Sequence, residues 1–419
     1  MPLSSTHRIL LLALALTLVG CPKEADQATG NSVELWTMQL KPTFETYMTG
    51  LIAAWEKTHP GVKVTWVDLP SSEIENKTLT AAASGHAPDL VNLNPAFANK
   101  LANAKALKTL PVDAAYKDQF FEAAWQANTV DGQIVGLPWY LSTSVTLFNR
   151  DLWKQAGLTD QPHSWKDLGE AARTIKAKTK ARGFMPNFGD RGKFMEILAS
   201  EGIGLLSTDG KHASFNTPAG ADVVKFWADL IHDGVIPQEC LTQGHREAID
   251  RFQAGQTAVF PAGPQFLTTI KQNSPQLYAK IDVGRQITGG SGKLGVGVMN
   301  LVIPVASTHQ DLALDLGKFI VSGPNQLAFC KIVPILPSEK SAAADTFFKP
   351  LGGGLEEKAR AIAAEQLQHA TLLVPPLPHQ NELAKALDDA LQRAALGKQT
   401  PAEALKQAAE DWDRVLATP

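Results

Sequence analysis

The sequence predicts an α/β fold that opens in a doubly wound lobe. Two observations carry this. Short β-branched runs alternate with amphipathic helical stripes in the order strand, helix, strand, helix, strand, and each connection is long enough for a right-handed crossover between parallel strands. A third observation sets the scale. Beyond residue 20 about 400 residues remain, enough for two or three domains or two large lobes.

The elements follow in order. Ser32 to Thr37 is the first strand. Phe44, Tyr47, Met48, Leu51, Ile52 and Trp55 form one stripe of a helix, which His59-Pro60-Gly61 stops. Residues 62–69 are a second strand, Glu73 to Ser84 a second helix, and 88–93 a third strand. Phe97, Leu101 and Ala104 mark a third helical face. "QIVGLPW" and "SVTLFNR" are extended. Pro138 has no N–H for a central ladder, so the chain is expected to turn there and to aim the next side chains into open space. Ser164 with Asp167 is a capping-box pattern, and a largely helical region runs on to about residue 256. Residues 257–264 are strand then turn, 284–297 a glycine-rich connection and 297–304 another strand. Helices dominate to the end, the last from about Asn381 to Leu396. Trp55, Trp125, Trp153, Trp165, Trp227 and Trp412 fall on helical stripes and read as core.

The N-terminus reads as an export signal. His7 and Arg8 precede Ile9 to Val19, an apolar run broken only by Thr17. The run is too short to span a bilayer, which takes ~20 apolar residues, and has the length of a signal-peptide core. Leu18-Val19-Gly20-Cys21 resembles the lipobox of bacterial lipoproteins, in which the cysteine becomes a lipidated N-terminus. Residues 1–20 are then the signal peptide and 21–32 a flexible tether without apolar pattern. The alternative is a secretory signal with a chance cysteine. Location is expected to be the periplasm or cell surface.

Composition narrows the function. Lys and Arg number 39 against 42 Asp and Glu, so nothing favours nucleic acid. Cys240 and Cys330 lack metal-ligand spacing, and are either a disulfide or two free thiols. The sequence contains no Gly-x-Ser-x-Gly elbow, phosphate loop, His-Glu-x-x-His or dinucleotide fingerprint. No cofactor or metal is expected. Catalytic carboxylate pairs leave little local signature, so an exported carbohydrate-active enzyme stays an alternative.

Four stretches carry a likeness. "LIAAWEKTHPGVKV", "GLPWYLSTSVTLFNRDLWKQAGL" followed by "SWKDL", "AIDRFQAGQTAVFPAGP" and "DLALDLGKFIVSGPNQLAF" occur in the order of a known family. The chain resembles the extracellular solute-binding proteins of ABC importers, in the branch that includes maltose- and oligosaccharide-binding proteins. The resemblance implies a two-lobed periplasmic-binding-protein fold of type II, hinged, with ligand in the cleft. It implies residues 33–143 with 296–345 as one lobe and 144–295 with 346–419 as the other. It implies a monomer that takes a di- or oligosaccharide or a glycoside osmolyte, or another solute, to a membrane permease.

Sugars need aromatic faces and planar hydrogen-bonding groups. Trp36 and Gln39 after the first strand are either cleft wall or core and solvent. Asn94 ends the third strand next to Asn92, and either bonds ligand hydroxyls or caps the turn before Pro95. Trp139, Tyr140 and Ser142 lie in the strongest family segment, so one of the two rings is expected to cover a sugar face. Asp190 stands where sugar-binding relatives keep an acid. Gly263 and Gln265 stand in a turn where relatives carry a stacking Trp, and Gln265 departs from that pattern. Asn300 opens the return strand.

Overall fold

A computed structural model describes residues 32–350 and 352–418. The expected signal peptide, Cys21 and the tether up to residue 31 lie outside the described residues. Ten strands build the two main sheets: β1 Ser32–Met38, β2 Lys63–Leu69, β3 Leu90–Leu93, β4 Gly136–Ser142, β5 Val145–Asn149, β6 Arg182–Phe184, β7 Thr257–Ala262, β8 Ile281–Gly284, β9 Gly297–Val302 and β10 Leu336–Pro337. Ser32, where the expected tether and the expected first strand overlap, belongs to the strand and pairs with Lys63.

The first sheet has the order β10-β4-β9-β3-β1-β2. β1 is parallel to β2 and β3, as the alternation of strands and helices requires. β9 returns antiparallel between β3 and β4. The second sheet has the order β8-β5-β7-β6. The chain moves from one sheet to the other at residues 143–144, returns between β8 and β9, and leaves again after β10. The helix Leu355–Leu367 braces the first crossing: Thr143 Oγ1 donates to Ala363 O (3.0 Å), and Gln366 Nε2 donates to Ser144 O (2.9 Å).

Two expectations are corrected. The chain does not turn at Pro138; β4 runs through it for seven residues. The missing N–H falls where the ladder slips, because the register against β9 shifts between Met299 and Asn300. A bulge there spares the proline a ladder bond. The helix from Gln380 to Ala395 is not the last: Pro401–Leu416 follows. It starts with a full capping box of Thr400 and Glu403 and with Pro401 at its first turn, which is pre-set for helix. Trp412 Nε1 donates to Leu383 O (2.7 Å) and locks the two helices together.

The core is aromatic and deep. Trp55, Trp227 and Trp412 are buried as the helical stripes require. Cys240 and Cys330 are buried free thiols, and burial pushes both up. Among the described residues no helix is long and apolar enough to cross a membrane.

Candidate functional site

The ends of the two sheets face a continuous cleft of two chambers. The smaller, about 340 Å³, lies against the second sheet: residues 184–187 after β6, Pro261 to Gly263 at the end of β7, and Asp190, His245 and Phe266. The larger, about 580 Å³, is walled on one side by residues 94–97, Ser142, Gly297 and Val298 from the first sheet. Its other walls are residues 191–193, 195–197 and 372–374. Ser144, Trp165, Lys193, Ile197, Gln286 and Ile287 border both chambers. Each volume falls within the ~300–1,000 Å³ of small-molecule sites.

Trp165 stands at the junction. It is the first residue of the helix Trp165–Lys178, whose start is fixed by Ser164 and Asp167: Asp167 N donates to Ser164 Oγ (3.1 Å) and Ser164 N donates to Asp167 Oδ2 (3.0 Å). The ring leans edge-on against Trp227, with centroids 5.4 Å apart. Its N–H has no partner among the described residues.

Asp190 is the hub of the smaller chamber. Its Oδ2 accepts from Asn187 Nδ2 (2.6 Å), from the backbone N–H of His245 (3.0 Å) and faces His245 Nδ1 (3.1 Å). This contact requires glycine at 244, where a Cβ would run into Asp190 Oδ1. Lys193 pairs with Glu196 at 2.9 Å, and that carboxylate holds its ammonium above the usual lysine range against the opposing effect of burial. Behind this wall, burial pushes the Asp388 carboxyl up to about 6, although the Gly192 N–H and Arg191 favour its charge.

Asn94, Ser142, Asp190 and Gly263 border the cleft. Asn94 also caps the helix Pro95–Asn103, its Oδ1 accepting from Phe97 N (2.9 Å) while its Nδ2 donates to Glu75 Oε1 (3.4 Å). The remaining candidates lie elsewhere. Trp139 is 1% exposed and stacks on Phe329, centroids 5.4 Å apart at 13°. Tyr140 meets the same Phe329 edge-on, and burial pushes its phenol up to about 12. Both rings pack on the helix Gly323–Cys330, so neither borders a chamber. Trp36 Nε1 donates to Glu34 Oε1 (2.7 Å), and Gln39 is an exposed turn residue at φ 58. Asn300 is fully buried and accepts from Asn128 Nδ2 (2.8 Å). Gln265 folds behind Gly263, with its Oε1 buried.

Sequence reading missed Trp165, Lys193, His245 and Phe266. Trp165 lies in the core, as its stripe predicts, and also borders the cleft, which a stripe of apolar residues does not show. The capping box gave the only local signal of its fixed position.

Two α/β layers with a ligand-sized cleft where the chain crosses between them are the arrangement of the periplasmic-binding-protein fold. Residues 41–326 match the family of bacterial extracellular solute-binding proteins, and the chain belongs to it. It is similar to the galactooligosaccharide-binding protein of Bacillus subtilis (strain 168), 27% identical over 96% of this chain and 94% of that one. It is also similar to a candidate oligosaccharide periplasmic-binding protein of Synechococcus sp. MITs9220, 34% identical, TM-score 0.85, covering 92% and 99% of the two chains. A crystal of that protein with zinc gives 33% identity and a TM-score of 0.86 over the same shares. Among the described residues here, no three His, Cys, Asp or Glu side chains converge to hold a metal ion. The sugar-binding protein MalE of Xanthomonas citri shares the fold, at 20% identity and a TM-score of 0.77, covering 92% of this chain and 98% of that one.

Proposed function

We propose that this chain is the solute-capturing component of an ABC importer and that it takes an oligosaccharide-class carbohydrate. One observation carries the reading: in a chain of this family, the cleft sets an indole and a phenyl ring, Trp165 and Phe266, beside a fixed carboxylate and amide, Asp190 and Asn187. Rings cover the C–H faces of sugars, and a carboxylate or amide accepts or exchanges hydrogen bonds with paired hydroxyls. Relatives named for galactooligosaccharide and oligosaccharide binding support the class.

The lobes in this reading are residues 33–143 with 296–345, and 144–295 with 346–419. They close about the crossings near residues 143–144 and 285–296. Closure around a hinge is a two-state motion that a bound ligand biases. The protein works as a monomer, held to the membrane outside the cytoplasm by lipid on Cys21, and hands its solute unaltered to the permease.

A thermal-shift screen against neutral and charged oligosaccharides tests the class. A ligand at ~100 times its dissociation constant adds about 2.7 kcal/mol to the folded state. The expected result is a raised melting temperature with at least one oligosaccharide, which is recovered intact. No shift with any carbohydrate and a shift with another solute class would overturn it; recovery of cleaved sugar would favour an enzyme.

A further inference from the structure

We propose that the larger chamber selects a carbohydrate carrying an acidic group, a uronate or a sulfate ester. This rests on the carbohydrate reading above and adds the charge of the ligand. Four cations border the chamber: Lys100, Arg191, Lys193 and Lys293. Only Lys193 is occupied, by Glu196. Among the described residues the side chains of Lys100, Arg191 and Lys293 form no ion pair and no hydrogen bond, and all three are exposed to solvent. The one further carboxylate on the wall, Glu75, accepts from Asn94. The cations come from three separate parts of the chain: the helix Pro95–Asn103, the turn before Lys193–Ser200 and the glycine-rich segment before β9. A chain whose formal net charge is −3 therefore gathers three cations without an ion pair along its own ligand cleft, with the Asp388 carboxyl near Arg191.

The backbone ends on this wall are already engaged: Asn94 Oδ1 caps the helix Pro95–Asn103, and the N–H of Gly192, at the start of Lys193–Ser200, lies on the Asp388 carboxyl. In the smaller chamber the acid is already committed, because Asp190 is held by Asn187 and His245. The two chambers thus divide the work. A neutral sugar unit sits by Trp165, Phe266 and Asp190, and the acidic group lies among Lys100, Arg191 and Lys293.

Calorimetric titration of the whole protein with two matched pairs tests this: galactotriose against trigalacturonate, and lactose against its 3′-sulfate, at low and at high salt. The acidic member is expected to bind about tenfold tighter, the gain from one charge-assisted hydrogen bond. That advantage is expected to shrink at high salt. It is also expected to shrink in Arg191→Gln and Lys293→Gln proteins that melt at the parental temperature. Neutral sugars binding as tightly as their acidic partners would overturn the inference and leave the carbohydrate reading standing. Sodium sulfate binding as tightly as the sulfated sugar would overturn it too, since an anion without a sugar would then suffice. No binding by any of the four sugars at millimolar concentration would overturn the inference, and the thermal-shift screen then decides the carbohydrate reading by itself.

Discussion

Trp139 and Trp165 are both nearly buried indoles, yet only Trp165 borders the cleft. Strand alternation predicts different directions for Trp139 and Tyr140 off β4, and does not say which side chain the bulge at Trp139 lets both rings reach. The answer is Phe329, distant in sequence and invisible to any local pattern. Trp139→Ala is expected to cost about 3–5 kcal/mol in urea denaturation, as large aromatic deletions in a core do, with ligand affinity of the folded protein unchanged. Asp388 gives a second prediction at this scale. Its folded carboxyl titrates at about 6 because of burial, above the ~3.9 of an exposed aspartate. The folded chain therefore keeps a proton that the unfolded chain releases first. The stability this provides is full below pH ~4 and is lost as the pH rises through about 6. The charges that face the carboxyl are Arg191, Asp389 and Lys385, together with the Gly192 N–H. Asp388→Asn keeps an acceptor and removes the buried charge. It should stabilise the protein near neutral pH by up to about 3 kcal/mol and flatten the pH dependence between the two values. Equal pH profiles for parent and variant would contradict this.

At the scale of elements, the sequence was most legible where local chemistry acts alone. The stripe Met48, Leu51, Ile52 and Trp55 became the buried face of Glu45–Thr58, and Ser164 with Asp167 became a capping box. Ser164→Ala should cost about 1 kcal/mol and, because Trp165 follows it directly, weaken ligand binding as well; chemical denaturation and calorimetry read the two effects separately. Elements that depend on a partner were less legible. Pro138 sits in β4 beside a bulge in that same strand, where Met299 faces Tyr140, Asn300 faces Pro138 and Trp139 is the extra residue, and no local pattern announces a bulge. The terminal helix Pro401–Leu416 did carry its own signal in Thr400-Pro401-Ala402-Glu403. The stripe of the preceding helix masks that signal, because its leucines alone satisfy the pattern of a terminal helix. Gly244 belongs here too. Gly244→Ala would push His245 and its helix His245–Gln253 away from Asp190, and should lower ligand affinity more than stability.

For the whole molecule, the two-sheet plan followed from the order of strands and helices and from the family resemblance, but the cleft wall did not. Its residues come from the start of one helix, the ends of several strands and loops far apart in sequence, and only the packed chain brings them together. If the two lobes close on a ligand, small-angle scattering should show a smaller radius of gyration at saturation; an unchanged radius would count against closure. Cys21→Ala should give an unprocessed or soluble protein in place of a membrane-bound one, read by fractionation. The central claim is that the solute lies between the sheets, against Trp165. Calorimetric titration of Trp165→Ala beside Trp139→Phe, with an oligosaccharide that stabilises the parent, tests it most directly. Loss of about tenfold or more in affinity for the first, on the scale of a binding hot spot, with parental affinity for the second is the expected result. Parental affinity in Trp165→Ala, with binding lost in a folded Trp139→Phe, would contradict it.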